Sequence, residues 1–284
     1  MFGRTSLLQT HRRLNRDGWT GLRSSAILQN VRSLARSLYH AGIVTEEQWF
    51  TLSPAQRTSD IVMAHALAEK PDCGTSRRRE TLLLDLRADD GAIWNGIDKG
   101  ARYEIRRAEK EGFAVRSYAE IPDQVVAAFG EAYEILRSRK TLPPLRSSRL
   151  HALVSCGTLR VSTCADLDGE ILSWHVYVAK GAAVRLLHSV SIFDKGDSPA
   201  RRAKIGRANR FHHWQDILEF KRRGLSLYDF GGIYVGEADR AQKSIATFKR
   251  QFGGVSRTVF DVAVPVTWRG RIVVSLRYAR FHKS

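Results

Sequence analysis

Two short stretches carry the side chains best suited to chemistry. "LSLYDFGGIYVGE" reads as a strand that ends in a carboxylate, Asp229, followed by Gly231 and Gly232. Further on, "IATFKRQFGG" reads as a helix that carries Phe248 and Lys249 and also ends in two glycines. A carboxylate at the C-terminal end of a parallel strand lies where ligands of open α/β sheets gather. There it can accept a proton from a bound nucleophile or orient it. The other reading is a strand-end cap, hydrogen-bonded to the backbone of Gly231 or Gly232. Both readings stay open at this level. The glycine pair permits a turn with positive φ and a close approach of backbone to a ligand. Lys249 is one of two adjacent cations, so a solvated helix face stands beside any role in a site.

A second group is basic. In "FDKGDSPARRAKIGRAN" the cations Arg201, Arg202, Lys204 and Arg207 surround Gly206, just before the expected helix "RFHHWQDILEFKRRG". A helix start offers backbone N–H groups and a positive dipole end to an anion, so this stretch is the candidate phosphate site for a donor. The alternative is a solvated basic loop. "ARYEIRRAEKEG" places Arg102 and Arg106 on a helix near Trp94 and Tyr103, suited to nucleic acid or a phosphorylated acceptor unless it is a solvated face. Tyr228, Trp214, Phe248, His175 and His188 complete the candidate substrate contacts. His212 and His213 have only Asp216 at ligand spacing, so no metal site is expected.

The elements that must position these groups follow from the pattern. "TLRVSTCADLDGEILSWHVYVAKGAAVRLLHSVSI" reads as three strands joined by two-residue hairpins at Asp168-Gly169 and Gly181-Ala182. Such loops pair Leu167 with Glu170 and Lys180 with Ala183, which sets His175 directly opposite His188. Strand "LSLYDF", helix "AQKSIATFKRQFGG" and strand "RTVFDVAVPV" then imply a parallel crossover. Upstream of Glu80, "SSAILQNVRSLARSLYHAGI" puts Ile27, Leu28, Val31, Leu34 and Leu38 at helical spacing, and "TEEQWFTLSPAQRTSDIVMAHALAEK" reads as two short helices. "KPDCGTSRRRE" is a turn-rich basic linker. The expected division is residues 1–79, a helical region with its linker, and residues 80–284, a mixed α/β domain.

Composition limits the function classes. The chain has 284 residues, 43% hydrophobic and 26% charged, enough for a proper buried core and far from disorder. Its 46 Lys and Arg against 29 Asp and Glu leave +17, a field that favours polyanionic partners. Three cysteines form no CxxC pair and no disulfide framework, which points to a reduced, cytoplasmic setting. No run reaches the length of a membrane span. The C-terminal "WRGRIVVSLRYARFHKS" mixes apolar and basic residues and suits either an interfacial helix on an anionic membrane or an element packed on the domain.

Taken in order, "TLLLDLRADDGAIWNGIDKGARYEIRRAEKEGFAV", "RANRFHHWQDILEFKRRG", "YDFGGI" and "FKRQFGG" resemble the FemAB family of the GNAT acyltransferase superfamily over roughly Glu80 to Val266. The resemblance implies a short member with a single GNAT-like unit: a mixed sheet in which an antiparallel meander is extended by a parallel strand crossover. It implies transfer of an aminoacyl group from aminoacyl-tRNA, or an acyl group from acyl-CoA, onto an amine, in a setting such as peptidoglycan or other cell-envelope synthesis or specialised-metabolite biosynthesis. It places a Phe-Lys pair at the active site, here Phe248-Lys249, with the lysine supporting the acyl centre. No tightly bound cofactor is expected; the donor is a co-substrate. The expected partners are aminoacyl-tRNA, an anionic small-molecule or envelope-precursor acceptor, and the inner membrane face as a peripheral contact. Oligomeric state is left open. The alternative from another class is a non-catalytic GNAT-like module that binds tRNA or an anionic envelope precursor.

Overall fold

The computed structural model describes residues 35–39, 42–55, 58–140, 142–194 and 196–279, and the expected helix face through Ile27, Leu28, Val31 and Leu34 lies outside them. Within them, the strands are β1 (Ala35–Tyr39), β2 (Ile43–Trp49), β3 (Ile61–Leu67), β4 (Thr75–Asp85), β5 (Ala114–Ser117), β6 (Leu159–Ala165), β7 (Ile171–Lys180), β8 (Ala183–Ser191), β9 (Leu227–Gly232) and β10 (Val255–Pro265). They form one mixed sheet in the order β1-β2-β3-β10-β4-β9-β8-β7-β6-β5. The helices are α1 (Asp90–Gly96), α2 (Lys99–Lys110), α3 (Asp123–Arg137), α4 (Ser147–Ser155), α5 (Pro199–Arg222), α6 (Arg240–Arg250) and α7 (Trp268–Ala279).

Helices cover both faces of the sheet, as its largely apolar central strands require. On one face Ile93 of α1, Ile105 of α2, Phe211 and Ile217 of α5 and Ala246 of α6 pack with Leu84, Val184 and Tyr228. On the other, Phe129 and Tyr133 of α3 and Leu150 and Leu153 of α4 pack with Trp174, Val176 and Val190. The expected meander β6-β7-β8 is antiparallel, and β9 joins it in parallel beside β8. The strand-helix-strand crossover ends one place further on: β4 lies between β9 and β10 and runs antiparallel to both.

The N-terminal helical expectation is corrected from residue 35 onward. "TEEQ" and "IVMAHAL" are rich in the good helix formers Glu, Gln, Met, Ala and Leu, yet they lie in strands β2 and β3. Tertiary partners override local propensity here. Glu46 accepts from Ser59 Oγ (2.9 Å) and Gln48 Nε2 (2.7 Å), and Glu47 is held by Arg149 and Trp49. β3 is wedged between β2 and β10 in a sheet interior where its alanines and methionine are packed from the sides. The boundary drawn at 79/80 falls inside β4, whose Thr75–Arg79 half pairs with β10 as its Glu80–Leu83 half does.

The hairpins depart from expectation in one instructive way each. Between β6 and β7, Asp166 N–H bonds to Glu170 O (3.0 Å) and Gly169 N–H to Asp166 O (3.0 Å), a three-residue loop with Gly169 at φ 85°. The Asp166 carboxylate enforces it by accepting from the N–H groups of Asp168 (3.1 Å) and Glu170 (2.9 Å). Between β7 and β8 the two-residue loop forms and Lys180 pairs with Ala183, but the register slips between Val176 and Tyr177. Tyr177 opposes Leu186 while Val176 opposes His188, so Leu187 is an extra residue and His175 faces Ser189. One bulge turns every later side chain of β8 to the other face. The expected His175–His188 pair therefore does not form, and the two imidazoles lie on opposite faces of the sheet.

Candidate active site

β8 and β9 pair in parallel only from Ala183/Leu227 to Arg185/Asp229. At that point both strands bulge, β8 at Leu187 and β9 between its Asp229 and Gly232 pairings with β4. Beyond it a cavity of about 380 Å³ opens, lined by Leu186, Leu187 and Ser189 of β8 and by Phe230, Gly231 and Gly232 of β9. Gly231 has φ +76°, and a Cβ there would lie 3.1 Å from Leu186 O and 3.8 Å from Lys249 Nζ. A side chain would thus be strained and would press on Leu186 O, which explains the glycine physically.

α6 supplies the cavity's cation. Ile245 and Lys249, one turn apart, face the cavity. The Lys249 ammonium donates to Gly232 O at 2.8 Å. Burial lowers its pKa to about 8; the Asp229 carboxylate resists the fall and the Arg185 charge adds to it. At neutral pH the group is a cation that releases its proton readily.

Asp229 itself is fully buried beneath the cavity floor. It accepts from Thr81 Oγ1, from Gly231 N–H (2.7 Å) and from Arg185 Nη1 (2.6 Å). Of the two readings the sequence left open, this geometry is the strand-end cap, with an arginine added. Every carboxylate lone-pair direction in use points at a protein donor, so Asp229 positions Arg185 and the Gly231 bulge.

The opposite wall comes from the region expected to be helical. The rings of Trp49 of β2 and His65 of β3 pack at a 30° tilt with centroids 4.6 Å apart, and the Arg149 and Arg185 guanidinium carbons lie 6.0 and 5.9 Å from the Trp49 ring centre. Each wall arginine has a carboxylate behind it. Arg149 forks onto Glu47 through two 2.7 Å bonds, and Arg79 Nε lies 2.5 Å from Asp261, which also faces His65 Nδ1 at 3.5 Å. Burial alone would raise the Glu47 carboxyl, but Arg149 holds it below the ordinary range. Asp261 is held far lower still, burial being outweighed by His65 and Arg79. The wall is therefore made of planar cations with fixed orientation and locally balanced charge.

Most other candidates lie elsewhere. Arg201, Arg202, Lys204, Gly206 and Arg207 belong to α5, which starts at Pro199 with Ser198 as its cap, rather than to a loop. Arg201 pairs with Glu170, Lys204 with Asp166 (2.7 Å) and Arg207 with Glu111 (2.9 Å). The Pro at N1 and the Ser cap were the signals of an earlier helix start. Phe248 faces away from the cavity, under Arg210 (5.1 Å), and lines an open groove of about 580 Å³ with Arg240, Lys243, Thr247 and Gln251. Trp214 packs tilted against Trp94 (4.9 Å, 54°), with Arg106 over the Trp94 ring (5.1 Å), and Arg102 bonds Asn95 (3.1 Å). His188 packs between Phe129 and Tyr133, and burial with the Arg149 charge lowers its pKa to about 4.

Tyr228 and His175 belong to a buried polar network centred on Asp216. Its Oδ2 accepts from Tyr177 Oη (2.5 Å) and Ser162 Oγ (3.1 Å) and faces His175 Nδ1 (2.8 Å). Tyr228 Oη joins Tyr177 Oη (3.1 Å) to His213 Nδ1 (3.0 Å). Donor atoms of His175, His212 and Asp216 all lie within 4.8 Å. The His175 and His212 rings, however, stack at 3.7 Å and 7°, and two parallel planes that far apart give in-plane lone pairs no common point about 2 Å away. The cluster is a hydrogen-bonded core network.

Arg185 is the residue of this cavity with the clearest mark in the sequence, a lone arginine inside the largely apolar strand "AAVRLLHSV". Trp49, His65, Arg79, Arg149 and Asp261 carried no comparable signal.

The meander, the parallel neighbour and the opening between them give a fold that is shared with a solved structure. No family model matches the sequence and no curated protein matches it. Among solved structures, the crystal structure of FemX is similar at TM-score 0.56 with 13% identity, over 77% of this chain and 74% of that one. The structure of L-PGS from Bacillus licheniformis is similar at TM-score 0.47 with 13% identity, over 76% of this chain and 72% of that one. At such identities the likeness is one of fold.

Proposed function

We propose that the protein is an acyltransferase that moves an acyl or aminoacyl group from acyl-CoA or aminoacyl-tRNA onto an amine, within the cavity between β8 and β9. The observation that carries this reading is Lys249, a half-buried ammonium with a depressed pKa, poised over the glycine bulge where two parallel strands part. In the reaction the amine nitrogen bonds to the carbonyl carbon, negative charge collects on the carbonyl oxygen, and the thioester C–S or ester C–O bond then breaks. A fixed cation beside that oxygen stabilises the charge as it develops. The amine's proton goes to His65, whose Nδ1 faces Asp261, and from there to the leaving group. The wall arginines fit an anionic acceptor, and the groove of Arg210, Arg240 and Lys243 on the far side of α6 fits the donor's phosphates in place of Arg201, Arg202, Lys204 and Arg207.

The experiment is mass spectrometry of amine mixtures incubated with the protein and either charged tRNA or acyl-CoA. An acyl increment that needs one donor supports the reading; no increment with either favours the binding-module alternative. The pH profile adds a sharper check. Lys249 is charged below about 8 and loses its proton as pH rises through that value, so turnover falls on that alkaline limb. Lys249→Arg keeps the charge and should abolish the limb; a limb unchanged in the arginine variant assigns it to another group.

A further inference from the structure

α7 is apolar on two opposite faces. Its inner face, Val273 and Val274, packs on Ile43, Ile61 and Ala263. Gly270 allows that approach, since a Cβ there would lie 2.0 Å from Asp60 O. The outer face carries Trp268, Ile272 and Leu276, which are 71%, 50% and 65% exposed. Spaced four residues apart, they form a stripe about 80° wide on the helix. Arg269 lies on one flank of the stripe and Arg271 on the other, both exposed, and Arg277, Arg280 and Lys283 follow in the sequence. Large apolar side chains gathered on a helix face away from its packing are not explained by folding.

We propose that this face docks the protein on an anionic lipid surface, with α7 lying in the plane of the interface. Its 12 residues span about 18 Å, and among the described residues no helix is long and apolar enough to cross a membrane. The arrangement is that of an in-plane amphipathic helix: apolar side chains enter the headgroup boundary and flanking arginines reach the phosphates. Charge complementarity selects this occupant over a second copy. Two chains at +17 would bring their flanking arginines together, and three side chains fall well short of the roughly 800 Å² per partner that a stable dimer buries. Along β3, Ile61 packs under α7 and His65 lines the cavity; four residues apart, they share a sheet face about 13 Å from one another. Docking through α7 thus holds the cavity close to the lipid surface.

The test is sedimentation of the full chain with vesicles of phosphatidylcholine alone and with roughly one third phosphatidylglycerol. Binding is expected only to the anionic vesicles, weakening as salt rises. Trp268→Ser with Leu276→Ser should weaken it roughly tenfold while leaving the melting temperature near that of the parent, because both positions are exposed. Arg269→Gln with Arg271→Gln should weaken it without abolishing it. Vesicle binding unchanged in the Trp268/Leu276 variant overturns the proposal, the attraction then residing in charge elsewhere. So does a chain that binds neither vesicle, or one whose self-association that variant abolishes, which would make the stripe a seam between copies.

Discussion

Lys249→Met is expected to lower turnover about a hundredfold, equivalent to about 3 kcal/mol of transition-state stabilisation, with fold and donor affinity retained. Methionine keeps the volume of the stem and its packing beside Ile245 but removes the charge. The ground state loses one hydrogen bond, from Nζ to Gly232 O, at a half-buried position. That loss is modest because water can replace the donor. In the transition state the oxygen carries nearly a full charge, and the cation beside it lies in a partly desolvated cavity where its effect is largest. The expected signature is a fall in kcat with KM for the donor nearly constant, since the interaction forms only as charge develops. Melting temperature measured in parallel guards against misfolding. A variant that keeps more than half of wild-type turnover removes Lys249 from the chemistry and leaves the acyltransferase reading on the cavity's shape alone.

The sequence displayed the parts of the site held by local geometry and hid those assembled across the sheet. The strand ending in Gly231-Gly232 and the helix carrying Lys249 were legible because each is marked by its own glycines. The wall was hidden. Trp49 and His65 lie in segments whose composition favours helix, and only pairing with β10 and the Arg149–Glu47 fork makes them strands. Short-range rules cannot see a partner a hundred residues away. The histidine register failed for a subtler reason: the turn set it correctly at Lys180/Ala183, and a single extra residue at Leu187 undid it farther up the strand. That same bulge belongs to the parting of β8 from β9, so the irregularity that spoiled the pairing also opens the cavity.

Asp229→Ala is expected to cost about 3–5 kcal/mol of folding stability, lowering the melting temperature by about 10 °C, before any question of catalysis arises. The carboxylate is buried and serves three donors: Thr81 Oγ1, Gly231 N–H and Arg185 Nη1. Alanine leaves all three without an acceptor, and the guanidinium becomes a buried charge with no counter-ion. A free catalytic base would behave in the opposite way, since its removal commonly leaves stability unchanged and abolishes turnover. Asp229→Asn separates the readings further. Its remaining carbonyl oxygen can still accept from Gly231 N–H and Thr81 Oγ1, but its amide donates where Arg185 also donates, so an intermediate loss is expected. Combining Asp229→Ala with Arg185→Met removes the unpaired charge, and the double variant should lose clearly less than the sum of the single losses. Urea denaturation of the four proteins reads these differences directly. Wild-type stability in Asp229→Ala would show that the carboxylate is no structural keystone, and additive losses in the double variant would show that Arg185 does not depend on it.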